Sequence, residues 1–252
     1  MRILLVTAAG MSSRFAASLG MECLKCIYYK NNFEESMLYR MLHYDQSFDK
    51  YLIVGGYRWE ELKEAVDTYF PELRSGITLI KNQKYNIYGS GFSLYLGLKE
   101  AIKIGFDELV FAEGDLLVDM ESFRKVVCAQ RDVVTYVRQN ICADQSVAFY
   151  YDLQEHIHYV YDTSHHAFVI EEPFTGIFHS GQIWKFRDQE RMEHVLGSME
   201  EQELQGTNLV MIRNYFCDMP KEQYQMIELQ RWVNCNTMDD FYQAMSAKEE
   251  RQ

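Results

Sequence analysis

Three stretches of the 252-residue chain carry side chains whose types and spacing could act on a charged ligand. The first is TAAGMSSRF, from Thr7 to Phe15. An apolar run enters a turn of small residues there, with Arg14 at its end and Lys25 further on. A turn at the end of a buried strand aims backbone N–H groups outward. Gly10, Ser12 and Ser13 are small enough to let a phosphate come close. Two separated cations beside such a turn suit a triphosphate tail. The same residues also read as a plain strand, a turn and two surface cations, and the pattern alone does not separate the readings.

The second stretch is Glu113-Gly114-Asp115, after the apolar run LVFA. A strand-end Asp115 supplies the hard oxygen that Mg²⁺ wants, with phosphate oxygens completing the shell. Glu113 and Asp119 are weaker candidates for the same place. Asp115 also fits a turn or a helix N-cap. The third stretch is NTMDD, where Asn236 would be a neutral oxygen donor. Asn236 or Thr237 equally marks the start of a helix over MDDFYQAM, and the two uses are compatible.

Two common nucleotide loops are excluded. A dinucleotide loop needs G-x-G-x-x-G and an acidic residue ending the second strand. Here the loop has one glycine, and the second strand ends in Gly55-Gly56-Tyr57. A P-loop needs G-K-[ST], which is absent. No histidine or cysteine stands out as a nucleophile. His156 and His158 alternate on a strand and His165-His166 sit in a polar turn, which suits surface or structural roles. The six cysteines form no CxxC, and Cys26, Cys128 and Cys235 sit in apolar company, as reduced thiols do.

The elements that must hold these residues follow from hydrophobic periodicity. ILLVTAA, KYLIVGGY, GITLIKN, DELVFAEGD and DVVTYV read as buried strands. SMLYRMLHYD, WEELKEAVDTYF, the segment after YGSG, and MESFRKVVCA read as helices. Alternating strands and helices call for a parallel sheet with helices on both faces, and ligands bind beyond the carboxyl ends of its strands. From Val147 the pattern changes. SVAFYYD, IHYVYD and HAFVIEE read as short antiparallel strands, followed by TGIFHSGQIWKF and a helical region around RMEHVLGSMEEQEL. The expected fold is therefore a three-layer αβα, Rossmann-like sheet with an antiparallel acceptor-side extension. It forms one domain over 1–252 in two halves, 1–146 and 147–252. Aromatic residues facing a second-half cleft (Tyr150, Tyr161, Phe174, Trp184) could hold an apolar or cationic group.

A net charge of −12 with no cluster of Lys and Arg excludes a groove tracking a nucleic-acid backbone. No run is long enough to span a bilayer, and the N-terminus lacks a signal-peptide profile. The expectation is a soluble cytoplasmic protein with no nucleic-acid or membrane partner. A homodimer is compatible with it.

In order, TAAGMSSRF with its downstream Leu24-Lys25, LIVGGY, NQKYNIYGSGFSLYL, LVFAEGD, FTGIFHSGQIW and NCNTMDDF resemble the nucleotidyltransferase family, above all bacterial phosphocholine cytidylyltransferases and sugar-phosphate nucleotidylyltransferases. The resemblance implies an Mg²⁺-dependent transfer of a nucleotidyl group, with CTP the expected donor. The acceptor would be a small phosphorylated alcohol or sugar phosphate destined for a cell-surface polymer or lipid, and pyrophosphate would leave. It implies that Ala8, Ala9, Gly10, Met11 and Ser12 cradle the nucleotide and that Arg14 and Lys25 neutralise the phosphates. Gly55, Asn82, the Gly89-Ser90-Gly91 loop and Glu113 would line the nucleotide pocket. Asp115 would hold the metal, and Asn236 stands where many relatives carry a metal-binding Asp. Thr175 and Gly176 would border the acceptor. Ser12 replaces the family's usual second loop glycine, and GSGFSL differs from the Asn-containing loop of the choline enzymes. Alternatives are a sugar-1-phosphate pyrophosphorylase, a molybdenum-cofactor-type nucleotidyltransferase, or a non-catalytic nucleotide binder on the same fold.

Overall fold

The computed structural model describes residues 1–144, 146–161 and 167–246. In chain order the elements are β1 (Arg2–Ala8), α1 (Ser13–Leu19), α2 (Met37–His43), β2 (Lys50–Gly55), α3 (Trp59–Tyr69), β3 (Ile77–Lys81), α4 (Ser90–Ile104), β4 (Glu108–Glu113), β5 (Leu116–Val118), α5 (Met120–Cys128) and β6 (Asp132–Val137). The second half adds β7 (Ala148–Asp152), β8 (Ile157–Val160), β9 (Phe174–Phe186), α6 (Gln189–Ser198), α7 (Glu201–Gln205), α8 (Leu209–Phe216), β10 (Tyr224–Glu228), β11 (Trp232–Asn234) and α9 (Met238–Ser246).

The main sheet runs β10-β6-β9-β4-β1-β2-β3. β4, β1, β2 and β3 are parallel neighbours, as are β6 and β10, whereas β9 lies antiparallel between β4 and β6. β7 pairs with β9 and β8 with β7, both antiparallel, so the second half extends the same sheet. Period-two alternation divides the core. Leu4 and Val6 of β1 face α2, α3 and α5, whereas Ile3 and Leu5 face α4, α6 and α8. All four are fully buried, and each contributes about 1.5–3 kcal/mol of hydrophobic stabilisation. This is the three-layer αβα arrangement.

Three local expectations change. The turn after Gly10 is shorter than expected, because α1 begins at Ser13. The described part of HAFVIEE, from Ala167, forms no strand, and β9 begins only at Phe174. Cys128 is exposed at the end of α5, whereas Cys26 and Cys235 are buried, and all six thiols are free. His165-His166 lie outside the described residues. Among the described residues no helix is long and apolar enough to cross a membrane.

Candidate active site

The parallel register sets Ala8 beside Gly55 and Thr7 beside Glu113, so the loops leaving β1 and β4 emerge side by side. Between them lies a cavity of about 370 Å³. It is lined by the loop from Ala8 to Arg14, by Lys25, by Tyr85, Tyr88, Gly89, Ser90 and Ser93, by Glu113 to Asp115, and by Asn236.

The first loop is built for close approach. A Cβ on Gly10 would meet no protein atom within 4 Å, so the fold itself does not require glycine there. The space it leaves open belongs to the cavity. Ser12 has φ 57° and ψ 20°, the left-handed region that glycine enters freely. That conformation costs a serine about 1–2 kcal/mol. The serine gives something back, because its Oγ accepts a hydrogen bond from the Lys25 N–H at 3.1 Å. The residue that departs from the resembled motif therefore keeps the glycine-like backbone and ties the loop to Lys25.

The charged groups converge across the cavity. Lys25 Nζ donates to Asp115 Oδ2 at 2.7 Å and to Asn236 Oδ1 at 3.2 Å, and Arg14 Nη2 donates to the same Asn236 oxygen at 3.0 Å. The Lys25 and Asp115 side chains are only 17% and 21% exposed. β11 pairs antiparallel with β5, placing Asn234 opposite Leu116, and the Cys235 N–H donates to the Asp115 carbonyl at 2.8 Å. This small sheet brings the C-terminal Asn236 to the end of β4. Asn236 also takes part in the cap of α9. Asp240 Oδ2 accepts from the N–H groups of Asn236 and Thr237 at 3.0 and 2.7 Å. Capping uses the Asn236 backbone and leaves its side chain to the cavity.

Glu113 Oε1 accepts from Asn208 Nδ2 at 2.7 Å. Burial, reinforced by the neighbouring Asp115 carboxylate, pushes the Glu113 carboxyl well above its ordinary value. Asp115 Oδ1 is buried and, among the described residues, has no hydrogen-bond partner. Among the described residues no group of three or more His, Cys, Asp and Glu could hold a metal alone. The available donors are the unpartnered Asp115 oxygen and the Asn236 carboxamide oxygen. This hard-oxygen pair fits Mg²⁺ when phosphate oxygens supply the remaining ligands.

Other expected residues sit elsewhere. Asn82 is fully buried and stands one layer behind the wall, donating to Ser93 Oγ at 2.9 Å. Gly55 and Gly91 do not line the cavity. A Cβ on Gly55 would sit 2.3 Å from Leu62 Cδ2, so its bareness serves packing. A Cβ on Gly89 would sit 2.2 Å from the Gly206 carbonyl, which makes this glycine a contact point between α4 and the α7–α8 connection. Thr175 and Gly176 border a different pocket, with Tyr151, Phe178, Lys221, Tyr224 and Met226, that shares no residue with the first. Trp184 is fully buried, stacked on Phe111 and donating to Tyr159 Oη at 2.7 Å, so it faces no cleft. Asp119 caps α5, accepting from Ser122 N at 2.8 Å. Sequence reasoning missed Tyr85, Tyr88, Ser93 and Asn208. The first three sit at strand-to-helix positions around NQKYNIYGSG, where ligand walls arise. Asn208 carried no pattern.

The fold matches solved structures over nearly its whole length. It is similar to the inositol-1-phosphate CTP transferase from T. maritima, with a TM-score of 0.67 and 15% identity over 100% of this chain and 97% of that one. It is similar to the CTP:phosphocholine cytidylyltransferase from Streptococcus pneumoniae, with a TM-score of 0.66 and 13% identity over 98% of this chain and 100% of that one. HddC from Yersinia pseudotuberculosis, solved with GMP-PN, gives 0.62 and 15% over 98% and 100%. The chain thus has the fold of the nucleotidyltransferases. No curated protein matches it in sequence. At the level of sequence families, a model described as a domain of unknown function (DUF6564) matches residues 21–248, and the chain belongs to that family.

Proposed function

We propose that the protein is an Mg²⁺-dependent nucleotidyltransferase that joins an NTP, with CTP the first choice, to a small phosphorylated alcohol or sugar phosphate. The observation that carries the reading is the convergence of Gly10, Arg14, Lys25, Asp115 and Asn236 on one cavity, from strand ends far apart in sequence. The fold of the neighbours supports the reaction class. Residues 1–146 would supply the nucleotide-binding half and 147–252 the acceptor-side half of one domain, working in the cytoplasm.

In this reading the N–H groups from Ala8 to Ser12 hold the triphosphate. Arg14 and Lys25 offset its charge and steady the leaving pyrophosphate. An oxygen of the acceptor phosphate forms a bond to the α-phosphorus, in line with the bond to the bridging oxygen that breaks. The electron pair of that bond leaves with pyrophosphate. The acceptor oxygen is already ionised, so no side chain has to remove a proton. Asp115 and Asn236 would hold Mg²⁺, which when bound supplies Lewis-acid neutralisation of the phosphate oxygens. Lys25 must then exchange its bonds to Asp115 and Asn236 for phosphate oxygens.

That same contact favours a second reading, nucleotide binding without turnover, because the protein's own ammonium already sits between Asp115 Oδ2 and the Asn236 oxygen, leaving only Asp115 Oδ1 free. Pyrophosphate release across four NTPs and a panel of phosphorylated acceptors separates the two. Turnover that Asp115→Ala abolishes while the fold persists supports catalysis. Nucleotide binding with no turnover in any pairing supports the binder.

A further inference from the structure

Behind Asn236 lies a row of carboxamides that the reaction does not itself use. Asn236 Nδ2 donates to Asn234 Oδ1 at 3.0 Å, and Asn234 Nδ2 donates to Gln182 Oε1 at 3.2 Å. The polarity of this row follows from chemistry. Arg14 and Lys25 have only donors, so the Asn236 atom between them must be its oxygen. Its nitrogen therefore faces Asn234, whose facing atom must accept. The Asn234 nitrogen then faces Gln182, which must accept in turn.

Gln182 ends the row with an unusual backbone. It is 4% exposed and has φ 56° within β9, next to a register shift against β6. Its neighbours are pinned. Trp232 Nε1 donates to the Gly181 carbonyl at 2.8 Å, and the Ile183 N–H donates to Thr135 Oγ1 at 3.1 Å. A left-handed glutamine in a buried strand is strained, and the strain turns its side chain towards Asn234.

We propose that Gln182 and Asn234 are positioning residues: their amides lock the Asn236 carboxamide with its oxygen towards Arg14, Lys25 and Asp115. Asn236 is thereby held as an oxygen donor to whatever cation stands at Asp115. Its consequence for turnover rests on nucleotidyl transfer, whereas the locking of the amide does not.

The test reads the amide directly. Side-chain N–H exchange of Asn236 is followed by NMR in the ligand-free protein, with its signal assigned by its loss in Asn236→Ala. Gln182→Met removes the acceptor that holds the Asn234 amide in place, so the Asn236 bond to Asn234 Oδ1 should open more often and Asn236 exchange should quicken several-fold, up to the roughly tenfold that one hydrogen bond is worth. Gln182→Glu keeps an acceptor oxygen in either protonation state and should restore slow exchange. Should Gln182→Met not fold, Asn234→Ala, at the more exposed middle amide, is read in the same way. Unchanged exchange in the variant lacking the acceptor, or equal acceleration in Gln182→Glu, overturns the proposal. In turnover, Gln182→Met should lower kcat/KM about tenfold in the native background and have no further effect on top of Asn236→Ala. If the native protein turns over no substrate, nucleotidyl transfer fails while the exchange result still decides the relay.

Discussion

Lys25→Met should destabilise the protein in a way that depends on pH. Lys25 Nζ is 2.7 Å from Asp115 Oδ2, and both side chains are about four-fifths buried. Asp115 Oδ1 already lacks a partner, and Asn236 keeps Arg14 when Lys25 is gone. The main loss is therefore the cation paired, among the described residues, with a mostly buried carboxylate that neighbours Glu113. Removing one partner of a fully buried pair costs about 3–5 kcal/mol, and access of water to the exposed fifth reduces this to about 2–3 kcal/mol. For a chain of this length that is a fall in Tm of about 5–10 °C. The sign with pH follows from Glu113. Burial and Asp115 raise its carboxyl, while Lys25 pulls it down, so the substitution raises it further. A carboxyl raised in the folded state costs nothing below its unfolded value, costs progressively more as pH rises from the unfolded to the folded value, and reaches its full cost above the folded one, so raising it further adds cost at the high-pH end. The loss at Asp115 is present throughout, and the Glu113 contribution adds to it as pH rises, so the Tm deficit should be larger near about pH 8 than near about pH 5. Thermal unfolding of both proteins across that range is the assay. A deficit below about 1 °C at both ends would refute the assignment of Lys25 as the counter-charge, and one equal at both ends would refute its pull on Glu113.

The other expectations concern the loop, the wall and the second acid. Ser12→Ala keeps the left-handed strain and loses the Lys25 N–H bond, so it should cost about 1 kcal/mol in denaturant titration. Ser12→Gly loses the bond but relieves the strain and should stay near the native midpoint, and the reverse order would be evidence against the strained loop. Gly89→Ala places a Cβ 2.2 Å from the Gly206 carbonyl and should cost about 1–3 kcal/mol while raising the KM for nucleotide. An unaltered KM would separate that contact from the cavity. Glu113→Gln removes the raised carboxyl. It should raise Tm above neutral pH and leave it unchanged near the ordinary carboxylate range, and a gain at low pH would contradict the sign.

Most strand and helix identities in the first half, though not α1 or β5, were legible because the strands are apolar runs, mostly buried on both faces, and the helices show apolar residues at helical spacing. β1 and α4 are examples. HAFVIEE failed because apolar alternation does not make a strand without a pairing partner. Its described residues lie outside the β7–β9 ladder that takes up Phe174 onward. Arg14, Lys25 and Asp115 could be singled out because a strand end followed by a charge is a local pattern. The β5–β11 pairing that brings Asn236 to Asp115 is not local, since it joins segments more than a hundred residues apart. Gln182 left no trace at all. Its φ is a property of the bulged β9–β6 ladder and not of the glutamine.

The glycines around α4 sharpen how a nucleotide would lie in the cavity. Gly89-Ser90-Gly91 is expected from the resemblance to line the nucleotide pocket, and the Gly89 and Gly91 N–H groups donate to the Gln205 and Gly206 carbonyls at 2.8 and 3.1 Å. Ser90 Oγ accepts from Asn208 N at 3.1 Å. The start of α4 is thus satisfied by the second half of the chain and has little left to offer an anion. What remains on that side is the rings of Tyr85 and Tyr88 and the hydroxyl of Ser93. The same cavity is also lined by Arg14, Lys25 and Gly10. Under the proposed function the phosphates would lie beside Arg14 and Lys25 at the first loop and the base against the tyrosines. An uncharged nucleoside should therefore still reach the aromatic wall but bind far more weakly than its triphosphate. The difference should shrink as salt screens Arg14 and Lys25. Equal affinity for nucleoside and triphosphate at low salt would mean that the two cations serve only Asp115 and Asn236.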